Sequence, residues 1–240
     1  FVPASVVPIP GFELTAGYIG SISNHQNTFN TVTLKPLINV QIAENFENIS
    51  DWTLVNGFQT NRWFIGTAVA NGGSKSIYIS SSNYYNSYST NASSVVHFYK
   101  DFTFPAEASN ISIQFDWQSL GELGQDYMKT YLVPASVTPV AGTELSNGQI
   151  GEMLNYVPHF STATISGLDA HAGTTKRLVF TWRNNGSAGY QPPGCIDNIR
   201  VSYNINSVDP SIPGTTKRVV FSWKNNGGGQ GSQPPAAIDN

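Results

Sequence analysis

Apolar positions recur every second residue along most of the chain. In KRLVFTW, Leu178, Phe180 and Trp182 fall on one face of an extended segment and Arg177, Val179 and Thr181 on the other. ISIQFDW repeats the pattern with Ile111, Ile113, Phe115 and Trp117. SVVHFYKDFTF (Ser94–Phe104) and YMKTYLVP (Tyr127–Pro134) are rich in β-branched and aromatic residues and end in turn residues. Gly, Pro, Asn and Ser punctuate the chain throughout, and no apolar stripe of helical spacing is present. Short, evenly spaced strands without helices predict an all-β protein, an antiparallel jelly-roll β-sandwich. Trp52, Trp63, Trp117 and Trp182 are expected in or beside its core.

Two strand-like segments occur twice. GTTKRLVFTWRNNG (Gly173–Gly186) returns as GTTKRVVFSWKNNG (Gly214–Gly227), and QPPGCIDN (Gln191–Asn198) returns as QPPAAIDN (Gln233–Asn240). FVPASVVPIPGFELTAGYIG (Phe1–Gly20) matches LVPASVTPVAGTELSNGQIG (Leu132–Gly151) at 12 of 20 positions. Repeats of this kind decide the domain organisation before anything else does. Residues 38–204 hold one complete module, residues 1–37 a third-quarter segment of another copy, and residues 205–240 a linker plus a last-quarter segment. The front half, roughly Glu44–Met128, occurs once. The expectation is a piece of a longer array, or ordered segments of a longer protein. The alternative is that the flanks pair into a split half-unit around the complete module.

Composition narrows the function classes. Only 11% of residues are charged and the net charge is −3, which argues against a nucleic-acid partner, since that calls for a basic stripe. The polar surface is instead Ser, Thr, Asn and Gln. One cysteine and two methionines suit an exported bacterial surface protein built without disulfides. Cys195 aligns with Ala237 of the second copy, so it is read as a small buried residue rather than a reactive thiol. No apolar run reaches the length of a membrane span.

The order of motifs carries a resemblance. ENFENISDWTLVNG (Glu44–Gly57) is followed by WFIGTAVANGGSKSIYIS (Trp63–Ser80), HFYKDFTFP, ISIQFDW and DYMKTYLVP, and the series closes with TKRLVFTWRNNGSAGYQPPGCIDNIRVS (Thr175–Ser202). This resembles the choice-of-anchor J domain of Bacteroidota surface proteins, akin to cleaved-adhesin modules and more distantly to MAM domains. The resemblance implies a jelly-roll module, often in tandem, on secreted proteins exported by the type IX system. It also implies a structural calcium where the first and last strands meet. Hard cations take oxygen ligands. This sequence offers Glu47 in the opening motif, Asp197 and Asn198 in the closing one, and Gly73 and Ser74 in the Asn71–Lys75 loop. The competing reading makes Glu47 and Asp197 strand-end residues bonded to backbone amides.

Catalytic patterns are weak. Asp116, Glu122 and Asp126 do not present the paired carboxylates of a glycosidase, and His25, His97, His159 and His171 lack metal-ligand spacing. No nucleophile elbow, phosphate loop or dinucleotide fingerprint occurs. The NNG segments (Asn184–Gly186, Asn225–Gly227) read as hairpin turns. Asn-x-Ser triplets at Asn48, Asn91, Asn110 and Asn185 are not read as glycosylated in a bacterial protein. The expectation is a non-catalytic, extracellular structural and adhesive repeat. Its partners are other repeats of the same protein, neighbouring subunits, or a host or environmental glycan or protein. Split copies leave open sheet edges, so strand exchange into filaments is part of this expectation. The alternative is a carbohydrate-binding module of a larger secreted enzyme, with Tyr84, Tyr85 and Tyr88 as the stacking candidates.

Overall fold

The period-two segments become strands. A computed structural model of the chain describes residues 37–206 except 155–156, together with Val2–Pro3 and Lys217–Arg218. In chain order the strands are β1 (Val2–Pro3), β2 (Leu37–Glu44), β3 (Thr53–Val55), β4 (Arg62–Gly66), β5 (Ser76–Ser80), β6 (Ser94–Thr103) and β7 (Ser109–Ser119). They continue as β8 (Tyr127–Pro134), β9 (Gln149–Leu154), β10 (Val157–Ile165), β11 (Thr175–Asn184), β12 (Cys195–Asn206) and β13 (Lys217–Arg218). One 3-10 turn, Asp169–His171, precedes β11.

The chain divides into two units, Ile38–Asn206 and the pair Phe1–Leu37 with Ser207–Asn240. The larger unit is a two-sheet antiparallel jelly-roll sandwich. One sheet has the order β3-β6-β11-β8-β9, and the other has β10-β7-β12-β5-β4 with β2 also on β12. The described part of the second unit is the antiparallel pair β1–β13.

The alternation explains the layering. Leu178, Phe180 and Trp182 of β11 point between the sheets and are fully buried, as are Ile111, Ile113 and Phe115 of β7. Phe98 and Phe180 stack at 4.9 Å, Trp63 and Trp52 meet Phe98 edge-on at 4.8 and 5.2 Å, and Phe115 meets Phe180 edge-on at 5.0 Å. Offset and edge-to-face pairs of this kind add about 0.5–1.5 kcal/mol each beyond their burial. Trp52, Trp63, Trp117 and Trp182 all belong to this core.

The outer face of β11 departs from the simple alternation. Val179 and Thr181 are also fully buried. Val137 and Leu145, from the segment between β8 and β9, pack with Tyr131, Val133 and Val179 as a second small core. His97 is bonded there to Thr181 Oγ1 at 2.8 Å and to the carbonyls of Val140 and Thr143 at 3.1 Å, and burial pushes its pKa down. It is a satisfied packing residue.

The NNG turn is a correction. β11 and β12 lie in different sheets, so Asn184–Gly186 opens a sheet-to-sheet crossover rather than a hairpin. Gly186 has φ 79°, and a Cβ there would come within 2.5 Å of Ser93 N, so close packing as well as turn geometry demands glycine. Asn225–Gly227, the second NNG segment, lies outside the described residues, as does His25. The linker read as beginning at residue 205 starts inside β12, which runs on to Asn206.

Candidate functional site

Four loops leave the same end of the sandwich: 56–61, 81–93, 120–126 and 185–194. Hydrogen bonds weld them together. Leu120 N and Gly121 N donate to the carbonyls of Pro192 and Tyr190 at 2.8 and 2.9 Å. Gln191 bonds both backbone groups of Tyr88, and the Asn61 amide donates to Ser89 O, Ala92 O and Asn184 Oδ1. Asp126, fully buried, is the hub. It accepts from Tyr88 Oη at 2.6 Å, Glu122 N at 3.0 Å and Asn185 N at 3.1 Å. Glu122 in turn accepts from Asn185 Nδ2 and Ser187 Oγ, both at 2.9 Å.

Large apolar side chains stand on this frame. Phe58 is wholly exposed, Tyr84 is 76%, Tyr85 71%, Leu123 66% and Tyr190 64% exposed. One of these residues sits on each of the loops 56–61, 120–126 and 185–194, and two sit on 81–93. Of the three tyrosines singled out from sequence, Tyr84 and Tyr85 are on this surface. Tyr88 is not: it is 4% exposed, and its ring meets Trp182 edge-on at 5.5 Å. Burial and the neighbouring Asp126 raise its pKa far above the ordinary phenol value. Tyr88 supports the platform from beneath. Phe58 and Tyr190 had no distinguishing signal in the sequence, because only the sandwich topology brings their loops to one end.

The candidate metal ligands gather at a second place, where β12 changes partner. Cys195 and Ile196 pair with β5, and the β12–β7 register shifts between Asp197 and Arg200. Asn198 takes up the irregularity with φ 51°. Asp197 is fully buried, its two carboxylate oxygens accepting from Asn71 N and Asn198 N, both at 2.8 Å. Burial pushes its pKa up to about 6, and the charges of Asp116 and Glu47 add to the rise, against the two amide bonds. Asp116 lies directly across on β7 and accepts from the side-chain amides of Asn71 and Asn198 at 2.9 Å and from Thr162 Oγ1 at 2.6 Å.

Glu47 closes the corner from the other side. Its carboxylate accepts from Lys75 N, Ser74 Oγ and Ser74 N, all at 2.8 Å, and these bonds hold its pKa below the usual carboxylate value. A side chain at Gly73 would collide with Glu47 Oε1. The five residues Glu47, Gly73, Ser74, Asp197 and Asn198 are thus tied together through the Asn71–Lys75 loop. Asp116 is the member that sequence reasoning placed elsewhere; its register partner on β12 is what identifies it.

The donor set is all oxygen and carries three acids within electrostatic reach of one another, which fits the chemistry of a hard cation. Among the described residues no three His, Cys, Asp or Glu side chains converge closely enough to grip an ion, and each acid oxygen named above faces an N–H or O–H donor. Cys195, beside this corner, is buried 3.1 Å from Ser76 Oγ, and burial raises its thiol pKa strongly. Asp116, Glu122 and Asp126 do not face one another across a cleft. Asp116 belongs to this corner and the other two hold the loop end.

A jelly-roll sandwich with a rigid aromatic loop end is the class that these observations define. No family model matches the chain, and no curated protein matches it in sequence. Solved structures similar to it include the K1 cleaved adhesin domain of Lys-gingipain from Porphyromonas gingivalis W83. That domain is 11% identical with TM-score 0.42, over 68% of this chain and 97% of that one. A family 11 carbohydrate-binding module from Clostridium thermocellum, in complex with a β-1,3-1,4-mixed-linked tetrasaccharide, is 12% identical with TM-score 0.41, over 74% and 99%. TmCBM61, in complex with β-1,4-galactotriose, is 11% identical with TM-score 0.42, over 68% and 94%. Among the described residues no helix is long and apolar enough to cross a membrane.

Proposed function

We propose that this chain is a non-catalytic adhesive and structural repeat of an extracellular or cell-surface protein, and that its loop end is the binding end. The observation that carries this reading is the set of exposed side chains Phe58, Tyr84, Tyr85, Leu123 and Tyr190 on four loops that are hydrogen-bonded to one another. Exposed apolar groups clustered on a pre-organised frame favour a ligand, because a rigid surface forfeits little entropy on binding. Aromatic faces that also carry hydroxyls suit sugar rings, and this supports the second reading, a carbohydrate-binding module of a larger secreted enzyme.

Calcium belongs to the same proposal. Glu47 and Asp197, with Asn198, Gly73 and Ser74, would hold it, and Asp116 stands beside them. The ion would supply charge neutralisation and would tie β2 to the Asn71–Lys75 loop and β12. The raised pKa of Asp197 supports this, since burial and the charges of Asp116 and Glu47 outweigh its two backbone amide bonds.

The experiment is affinity electrophoresis of the 240-residue protein against a panel of soluble polysaccharides, with Tyr84→Ala, Tyr85→Ala and Tyr190→Ala. Each ring supplies about 1 kcal/mol, so each variant weakens binding roughly fivefold with the melting temperature unchanged. Retardation by no polysaccharide, or retardation unaffected by all three variants, would sink the sugar-binding assignment.

A further inference from the structure

The two flanks match different parts of the module, and the parts are complementary. The match that begins with Phe1 opposite Leu132 continues past Gly20, with Asn24, Phe29, Thr31, Thr33 and Leu37 opposite Asn155, Phe160, Thr162, Thr164 and Leu168. It stops at Leu37, where the complete module starts. The second match resumes at Gly214, opposite Gly173. The copy therefore breaks off and resumes within one loop, the one that joins β10 to β11. A plain tandem order would instead carry the last quarter straight after Leu37.

The structure adds the pairing. Val2 stands opposite Arg218 and Pro3 opposite Lys217. Their counterparts in the complete module, Val133 with Arg177 and Pro134 with Lys176, are partners in the β8–β11 ladder. The register is the same in both copies, and a slip of one residue would turn every side chain to the other face. Residues 1–37 and 207–240 also cluster as one unit, with its limits at the same junctions.

The complete module has the properties of an insert, and its own β10–β11 loop those of an acceptor. Its first and last strands are neighbours: β2 pairs with β12, and Asn39 Nδ2 donates to Asn204 Oδ1 at 2.9 Å. The equivalent loop in the complete copy is surface-exposed around Gly167 and Asp169, the kind of site that tolerates insertion.

We propose that residues 1–37 and 207–240 are the third and last quarters of one copy of the module, interrupted at its β10–β11 loop by the whole of a second copy, and that the strand bearing Arg218 docks a strand of β6 sequence. In the complete copy β11 has β8 on one side and β6 on the other, and Arg177 makes a two-pronged bond to Asp101 of β6 at 2.7 and 2.9 Å. Arg218 occupies the same place beside β1, and among the described residues β13 pairs with β1. The 240 residues contain the β6 sequence once. The partner of this surface is a β6-type strand with a carboxylate opposite Arg218.

Two measurements on the full chain test this. Val2→Cys with Arg218→Cys is oxidised and compared with the shifted pair Val2→Cys with Val220→Cys. The expected result is a crosslink within one chain for the first pair and little for the second, read by intact mass and non-reducing gels. No crosslink, equal crosslinking, or a crosslink between chains overturns the interrupted copy. A fluorescent Ser94–Phe104 peptide is then titrated into the uncrosslinked protein. Arg218→Ala, or Asp101→Asn in the peptide, is expected to weaken binding about tenfold, and exchanging the two charges to restore it. Absence of saturable binding, or binding indifferent to Arg218, overturns the docking assignment while leaving the crosslink result to stand by itself.

Discussion

Asp197 makes the candidate metal corner measurable without any ligand assay. Its pKa rises from 3.8 to about 6 on folding, chiefly by burial and then by Asp116 and Glu47. A raised acid binds its proton more tightly in the folded state, so the unfolded chain releases that proton first as pH climbs. Stability then falls between about pH 4 and pH 6 and stays lower above that window. Two pKa units correspond to about 3 kcal/mol, or about 6–12 °C of melting temperature for a unit of this size.

Two groups shape the background. Glu47, with a depressed pKa, contributes stability that is lost as pH falls below the usual carboxylate range. His97, with a depressed pKa, costs stability as pH falls below about 6.5, against the Asp197 trend. The quantity to measure is therefore the difference between wild type and Asp197→Asn, by thermal melts in EDTA from pH 4 to pH 8. The stability of the wild type relative to the variant should fall between about pH 4 and pH 6 and stay level above that window. In millimolar calcium the wild-type fall should disappear, since a bound cation stabilises the carboxylate form, and at 100 times Kd should add about 2.7 kcal/mol. A wild-type-minus-variant difference that is flat from pH 4 to pH 8 in EDTA would refute the account of Asp197. A melt indifferent to calcium at pH 7 would refute the metal proposal alone.

Other substitutions separate the core from the loop end. Phe180→Ala removes the ring that both Phe98 and Phe115 meet and should cost about 3–5 kcal/mol in chemical denaturation. Tyr88→Phe leaves Asp126 short of one buried donor and should cost about 1–3 kcal/mol while also weakening any ligand held by the loop end. Gly186→Ala forces a side chain onto Ser93 N at φ 79° and should cost at least 1–2 kcal/mol, roughly, seen as a lower melting temperature.

The strands were legible because period-two alternation in β7 and β11 is imposed by one strong constraint, a core between two sheets. That constraint did not reveal Val179 and Thr181 as buried, because their cover comes from residues 135–148, a distant segment with no regular pattern. Glu47, Gly73, Ser74, Asp197 and Asn198 could be assembled from sequence only through a family resemblance. Nothing local in NFE or IDN says that they meet. Asp116 was visible as an acid in a strand, yet its partnership with Asp197 is a matter of register, which period-two patterning does not fix. Tyr88 read like its neighbours Tyr84 and Tyr85 because burial in a loop depends on what the loop folds over, here Asp126 and Trp182. The NNG turn read as a hairpin because turn chemistry specifies backbone shape and not which sheet the next strand joins.

The position of the interruption and the position of the loop end bear on each other. β12 starts at the loop end with Cys195 and finishes beside β2 with Asn206, its twelfth residue, a span of about 36 Å. The β10–β11 loop is held at that same far end, where Phe104 N donates to Thr174 O and Gly173 N to Pro105 O, both at 3.0 Å. An insert joined through its β2 and β12 ends therefore keeps its aromatic loops distant from the junction. Insertion at any of the loops 56–61, 81–93, 120–126 or 185–194 would have cut the Asn61 and Asp126 networks that hold the binding end. The interruption joins the inserted module through strand ends remote from the loops that form its binding end.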